Sequence, residues 1–293
     1  MFQIFKTQAR QPTSAAPNNA LTEQYSEMQR RVYNSLAGKG TAEAKAAVHP
    51  NYEEAQAQAK YQLAYILREY SDRQGVCRGK NVDEILASLN RGPKRPKLLD
   101  FGCGVGRLME AGVDSGYEVD GVDLSAEMLK IAGQSPSLTK GGSRFFLTTG
   151  QNCGDAPKEH YDIVYSFLCF QHICVRTIRK AILKAMHASL AKNGMVYIQT
   201  QFYPQVQGHE VPHPHSSWDK ANTTANATNS GADAWVTPDQ LGEVYQDFAR
   251  LFSDIRIQFI TTPGLTNGKW NAEHVAISGS KSPSLSSRHH CSL

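Results

Sequence analysis

The chain has 293 residues, of which 40% are hydrophobic and 20% charged, enough apolar material to bury a sizeable core, so a disordered chain is excluded. Its formal net charge of +4 and isoelectric point near 8.6 are a mild basic bias that ordinary surface lysines explain, short of the footprint of a nucleic-acid-binding surface. No run of about eighteen apolar residues occurs, so no membrane-spanning segment is expected.

Residues 1–20 are rich in Pro, Ala, Gln and Asn and are expected to be mobile. Lys6 and Arg10 stand among the first 22 residues without an acid, as in a transit peptide, but the apolar or amphipathic pattern of a targeting segment is missing. Residues 21–36 and 52–70 have helix-forming composition without strand alternation. In the second segment Tyr61, Ala64, Tyr65 and Arg68 fall at helical spacing, a stripe expected to pack on the domain, with a substrate lid as the alternative. Residues 81–89 add a short helix with Asp83 and Glu84 in its first turn, where a carboxylate favours the positive end of the dipole by about 0.3–1 kcal/mol. Gly92-Pro93-Lys94-Arg95-Pro96 then marks a boundary, so residues 1–95 form a disordered start and a helical extension that caps the domain beginning at Pro96.

The stretch Leu98-Leu99-Asp100-Phe101-Gly102-Cys103-Gly104-Val105-Gly106-Arg107 is an apolar run ending in an acid, followed by three glycines at alternate positions and helix formers. That pattern spells a strand, a tight turn and a helix start. Glycine permits positive φ and lets a ligand approach the backbone without meeting a Cβ. A second strand, Glu118-Val119-Asp120-Gly121-Val122, ends at Asp123, where a carboxylate can take both hydroxyls of a ribose. Together they describe a nucleoside site. A dinucleotide loop needs Gly-x-Gly-x-x-Gly, but the third position is Arg107 in one frame and Met109 in the other, and no Gly-Lys-Ser/Thr of a phosphate loop comes after the turn.

What remains resembles motif I of the class I methyltransferases that use S-adenosylmethionine, Asp/Glu-x-Gly-x-Gly-x-Gly after the first strand. The resemblance extends from residue 96 to about 280. It implies that Asp100 orients the methionine ammonium, that the backbone at Gly102, Cys103, Gly104 and Gly106 passes close to the cofactor, and that Asp123 holds the ribose with Leu124 against the adenine. After a third strand, Arg144-Phe145-Phe146-Leu147-Thr148, the family usually places an Asp against the adenine amino group; here Gln151 or Asn152 offers a side-chain carbonyl for that bond. A fourth strand, Tyr161-Asp162-Ile163-Val164-Tyr165-Ser166-Phe167, puts Ser166 and Phe167 at the rim where open α/β sheets bind ligands. In the segment after it, His172 is the candidate general base, because imidazole titrates near neutrality and can take the proton of an acceptor hydroxyl or amine; helix capping or cofactor contact is the alternative.

Next, Val175, Ile178, Ile182, Met186 and Leu190 repeat at helical intervals with Arg176, Arg179, Lys180 and Lys184 between them, a helix expected to lie on the sheet with its charges in water rather than on nucleic acid. A fifth strand, Gly194-Met195-Val196-Tyr197-Ile198-Gln199-Thr200, leads into a polar insert, residues 202–236, that holds His209, His213, His215 and Trp218. Loops this long are usually lids or disorder. The three histidines lack an acidic neighbour and carry Pro214 between two of them, so no metal site is expected. Thr237-Pro238 starts a helix running to about Phe252, and residues 255–261 and 274–278 close the sheet as an antiparallel pair. The expected fold is therefore α/β, a doubly wound, seven-stranded, mostly parallel sheet in order 3-2-1-4-5-7-6 with the last strand antiparallel, spanning residues 96–281 with residues 282–293 as a flexible tail.

Six scattered cysteines, Cys77, Cys103, Cys153, Cys169, Cys174 and Cys291, show neither metal spacing nor a disulfide framework, which fits a reducing cytoplasm. Ser166-Phe167-Leu168-Cys169 stands where nucleic-acid amino methyltransferases have Asn/Asp-Pro-Pro-Tyr/Phe, and no Pro-Cys of a cytosine-C5 enzyme occurs there. The resemblance thus implies transfer of a methyl group from S-adenosylmethionine to an oxygen or nitrogen of a small-molecule acceptor. A protein or RNA methyltransferase, or a cofactor-binding protein without transfer activity, is the alternative.

Overall fold

The strand Lys97–Phe101 (β1) buries Leu98, Leu99 and Phe101 together with Asp100, and that burial on both faces places it mid-sheet. The computed structural model describes residues 19–40, 51–75, 81–89, 95–173, 175–202, 236, 241–260 and 273–282. β1 pairs in parallel with β2 (Glu118–Asp123) on one side and with β4 (Tyr161–Phe167) on the other. β3 (Phe145–Leu147) extends the sheet beyond β2 and β5 (Leu190–Phe202) beyond β4, both parallel. β7 (Glu273–Ser280) runs antiparallel to β5, and β6 (Ser253–Ile260) antiparallel to β7 at the edge. The order is 3-2-1-4-5-7-6, as expected.

Helices cover both faces. On one, α2 (Tyr52–Gln74), α3 (Val82–Ser88) and α4 (Arg107–Asp114) pack Leu63, Ile66, Leu67, Ile85 and Leu108 over Leu98, Ile163 and Met195. On the other, α7 (Arg176–Ser189) and α8 (Leu241–Ala249) press Ile178, Ile182, Met186, Val244 and Phe248 onto Val164, Val196 and Ile198. Each such side chain contributes about 1.5–3 kcal/mol through burial. Short helices α5 (Ala126–Ala132) and α6 (Pro136–Gly141) fill the β2–β3 crossover, and α1 (Asn19–Gly38) docks on α5. No helix among the described residues is long and apolar enough to cross a membrane.

Two expectations about faces are corrected. Tyr61 and Tyr65 of α2 are 60% and 43% exposed, and the helix instead turns Ala59, Leu63, Ile66 and Leu67 to the core. The two tyrosines lie on the opposite side of the cylinder from the aliphatic row that packs against the flat sheet, and of the expected stripe only Ala64, 4% exposed, is buried with that row. Nor are all the charges of α7 in water. Arg179 is 0% exposed and donates to the main-chain carbonyl of Ile173, while Arg176 is bidentate with Asp247 of α8 at 2.9 and 3.0 Å. Phe202 ends β5, and Val236 forms a parallel bridge to it with its N–H donating to Gln201 O. Residues 203–235, with His209, His213, His215 and Trp218, lie outside the described residues, as do residues 1–18, 237–240 and 283–293.

Candidate functional site

The C-terminal ends of β1, β2 and β4 open on one cavity of about 360 Å³. At the end of β1, Gly102, Gly104 and Gly106 have φ of 77°, 54° and 87°, the left-handed region in all three cases. A Cβ on Gly102 would fall 2.4 Å from Cys169 Sγ, so no other residue type fits that turn. The Gly102 and Cys103 N–H groups both donate to Val122 O, pinning the turn over the end of β2. There Asp123 Oδ2 accepts from the Gly104 N–H and Oδ1 from the Ser125 N–H, each at 2.8 Å. Burial pushes the Asp123 carboxyl up from its usual range, and its amide bonds to Ser125, Gly104 and Leu124 pull it down.

Asp100 stands inside the same turn, 4% exposed. Burial raises its carboxyl to about 7; the Arg107 guanidinium acts in the lowering direction, the Asp123 charge in the raising one, and the nearby Tyr165 hydroxyl lowers it further. Arg107, in the first turn of α4, donates to Ala55 O at 2.8 Å and to Gln62 Oε1 at 2.6 Å, so α2 holds a buried cation at the cavity wall.

At the end of β4, Leu168 takes φ of 55°, a strained position for a bulky residue, held by its N–H donating to Gln199 O. That twist lays Cys169 on Gly102 and starts the 3-10 turn Phe170–His172. Gln171 in this turn is buried, and its Oε1 has no hydrogen-bond partner. The His172 ring meets Tyr33 of α1 edge-on at 6.4 Å, and its main-chain oxygen accepts from Tyr25 OH at 2.5 Å and Gln29 Nε2 at 3.3 Å. Through these contacts α1 roofs the cavity with Tyr25, Ser26, Gln29, Val32, Tyr33 and Leu36. The Ser125 hydroxyl donates to Asn34 Oδ1, tying the same helix to the start of α5.

Asp100, Gly102, Cys103, Gly104, Asp123, Leu124, Phe167 and His172 all line this one cavity. The others from the sequence do not. Gly106 caps α4 and packs on Leu138. Ser166 is fully buried, its hydroxyl donating to Phe101 O as a clamp between β4 and β1. Gln151 and Asn152 lie off the wall; Asn152 Oδ1 accepts from the Gly154 N–H and the Thr148 hydroxyl inside its own loop, and Thr148 and Gly150 face the cavity instead. Sequence reasoning missed Arg107, Gln171 and the α1 residues. The row Tyr25, Gln29, Val32, Tyr33, Leu36 has helical period and was the readable signal.

A bare-backbone turn, two acids on adjacent strands, a cation across from them and buried unbonded oxygens on the wall fit an adenosine that carries an amino-acid tail. Residues 70–248, more than half of the chain, match a methyltransferase domain, and the chain belongs to the class I S-adenosylmethionine-dependent methyltransferase family. It is similar to a ubiquinone biosynthesis O-methyltransferase of Idiomarina loihiensis, 31% identical over 105 residues that cover 36% of this chain and 42% of that one. A ubiquinone biosynthesis O-methyltransferase of Bradyrhizobium diazoefficiens is 27% identical over 179 residues, 56% of this chain and 69% of that one. The chain thus spans less than half the length of the Idiomarina relative. Phosphoethanolamine N-methyltransferase 1 of Haemonchus contortus, solved with phosphoethanolamine and S-adenosylhomocysteine, shares the fold at a TM-score of 0.55 and 9% identity over 91% of this chain and 51% of that one.

Proposed function

We propose that the protein moves a methyl group from S-adenosylmethionine to an oxygen or nitrogen of a small molecule, and that the cavity under α1 takes both. The observation that carries this reading is the roof. Tyr25, Val32, Tyr33 and Leu36 close the cavity from above, while Ile173, Ile178 and Ile182 line it from α7 and the turn before it, so the space suits a compact, largely apolar acceptor better than a polymer. The names of the ubiquinone relatives support an oxygen acceptor.

When bound, the cofactor supplies an electrophilic methyl carbon on a positive sulfur. Asp123 takes the ribose hydroxyls, Asp100 the methionine ammonium, and Arg107 brings positive charge to the carboxylate end. The Gly102 turn admits the tail at backbone distance. The α1 roof excludes water and fixes the acceptor behind the methyl, and orientation of that kind supplies roughly 7–11 kcal/mol when ideal. A His172 ring nitrogen would take the proton of the acceptor's hydroxyl or amine as the methyl arrives, leaving the acceptor neutral.

Titration calorimetry with S-adenosylhomocysteine tests the site. Asp123→Ala should weaken binding roughly 10- to 100-fold, the worth of losing charge-assisted bonds, and equal affinity in both proteins removes the assignment. Incubation with label on the transferred methyl and a low-molecular-weight extract tests the acceptor: label found only on RNA or protein defeats the small-molecule reading. His172→Ala should lower turnover by about 10²- to 10⁴-fold, and unchanged turnover retires the base.

A further inference from the structure

The loop after β3 gives the cavity little with which to read a nucleobase. The Thr148 hydroxyl is spent on Asn152, the Asn152 amide oxygen is spent within the loop, and Gly150 presents only backbone. Opposite that loop stands Ser26 of α1, 5% exposed, with a buried hydroxyl that has no hydrogen-bond partner. A Cβ on Gly150 would fall 2.8 Å from Ser26 Oγ and 3.4 Å from Leu124 Cδ1, so the three residues converge on one end of the cavity, and Gly150, at φ of 95°, lets Ser26 approach this closely. Leaving a buried hydroxyl unbonded is costly, and such groups in native proteins ordinarily meet a partner. Asp123, Leu124, Gly150 and Ser26 line the same cavity, so a sugar held at Asp123 would have this end within reach of its base.

We propose that the Ser26 hydroxyl reads the adenine edge, accepting a hydrogen bond from the exocyclic amino group, so that α1 belongs to the cofactor site as well as to the roof. This rests on the cofactor reading above. The consequence is that adenine specificity sits on the N-terminal helix, outside the β-strand loops of the sheet.

The experiment is calorimetry on the full chain and on Ser26→Ala, a change that favours the helix and leaves the fold intact, with two probes: S-adenosylhomocysteine and its analogue with unsubstituted purine, which lacks the amino group. The wild-type chain should prefer the adenine compound by roughly 3- to 10-fold, the variant should lose about that factor for it, and the variant should bind the two compounds alike. A variant that keeps the wild-type preference overturns the proposal, as does one that weakens both probes equally. Failure of the wild-type chain to bind either compound defeats the cofactor reading itself.

Discussion

Asp100 is a carboxyl poised between two protonation states. Burial alone would keep it protonated well above the usual range; Arg107 opposes that and Asp123 adds to it, leaving it at about 7. On the reading proposed above, an ammonium bound against it would stabilise the ionised form, so the bound protein would give up a proton that the free protein holds below pH 7. As pH falls through 7 the free protein therefore gains a proton, the bound one does not, and affinity drops. The dissociation constant for S-adenosylhomocysteine should be flat above about pH 8 and rise towards about tenfold per pH unit below 7, while Asp100→Asn should show no such limb. A wild-type profile level from about pH 5.5 to 8.5 would contradict this reading of Asp100. At this scale the pair Asp100 and Asp123 was legible because an acid at the end of an apolar run, repeated one strand later, has few structural uses. Asn152 was not legible as a loop residue, since an amide that can reach a ligand can equally close a turn on its own neighbours, and only geometry separates the two.

The helices divide the same way. β4, Tyr161–Phe167, is buried along its whole length and was readable as a strand to the residue, because a mostly apolar, β-branched and aromatic run has its home in a parallel sheet. α2 was readable as a helix but not in its orientation. Tyr61, Tyr65 and Arg68 form one helical row, and Ala59, Leu63, Ile66 and Leu67 another on the opposite side, roughly a third to half a turn away, with Ala64 of the expected stripe on the buried flank at 4% exposure. Periodicity alone cannot choose which of two opposite rows faces inward; the sheet did, taking the smaller aliphatic side chains. The choice has a measurable consequence. Leu63→Ala, at a fully buried position, should cost about 2–5 kcal/mol in urea unfolding, whereas Tyr61→Ala should stay within about 0.5 kcal/mol. Equal losses at the two positions would mean that the aromatic row carries as much packing as the aliphatic one.

Across the molecule, α2 fastens the helical extension to the far edge of the sheet through a buried ion pair. Arg73 Nε meets Glu69 Oε1 at 2.8 Å, both side chains 3% exposed, and the remaining guanidinium nitrogens reach Ser278, Ser280 and Asp254 on β7 and β6. Glu69 in turn accepts from the Ser278 hydroxyl and Gln258 Nε2. Since Arg107 of the cavity wall is held by Ala55 and Gln62 of the same helix, α2 joins the candidate site to the β6–β7 edge, and the two ends should unfold together. No sequence pattern announces this link, because Glu69 and Arg73 at i, i+4 look like any solvated helix pair. Their burial sets the prediction. Arg73→Met takes the closest cation from the buried Glu69 carboxylate, leaving it the longer Arg256 contact at 3.5 Å, and should cost about 3–5 kcal/mol, far more than an exposed pair is worth. Adding Glu69→Leu removes the under-compensated buried charge and should restore part of that loss, so that the double variant is more stable than Arg73→Met alone. If urea unfolding shows the double variant to be no more stable than the single one, the pair acts by some means other than mutual charge compensation, and α2 is joined to the sheet edge by packing alone.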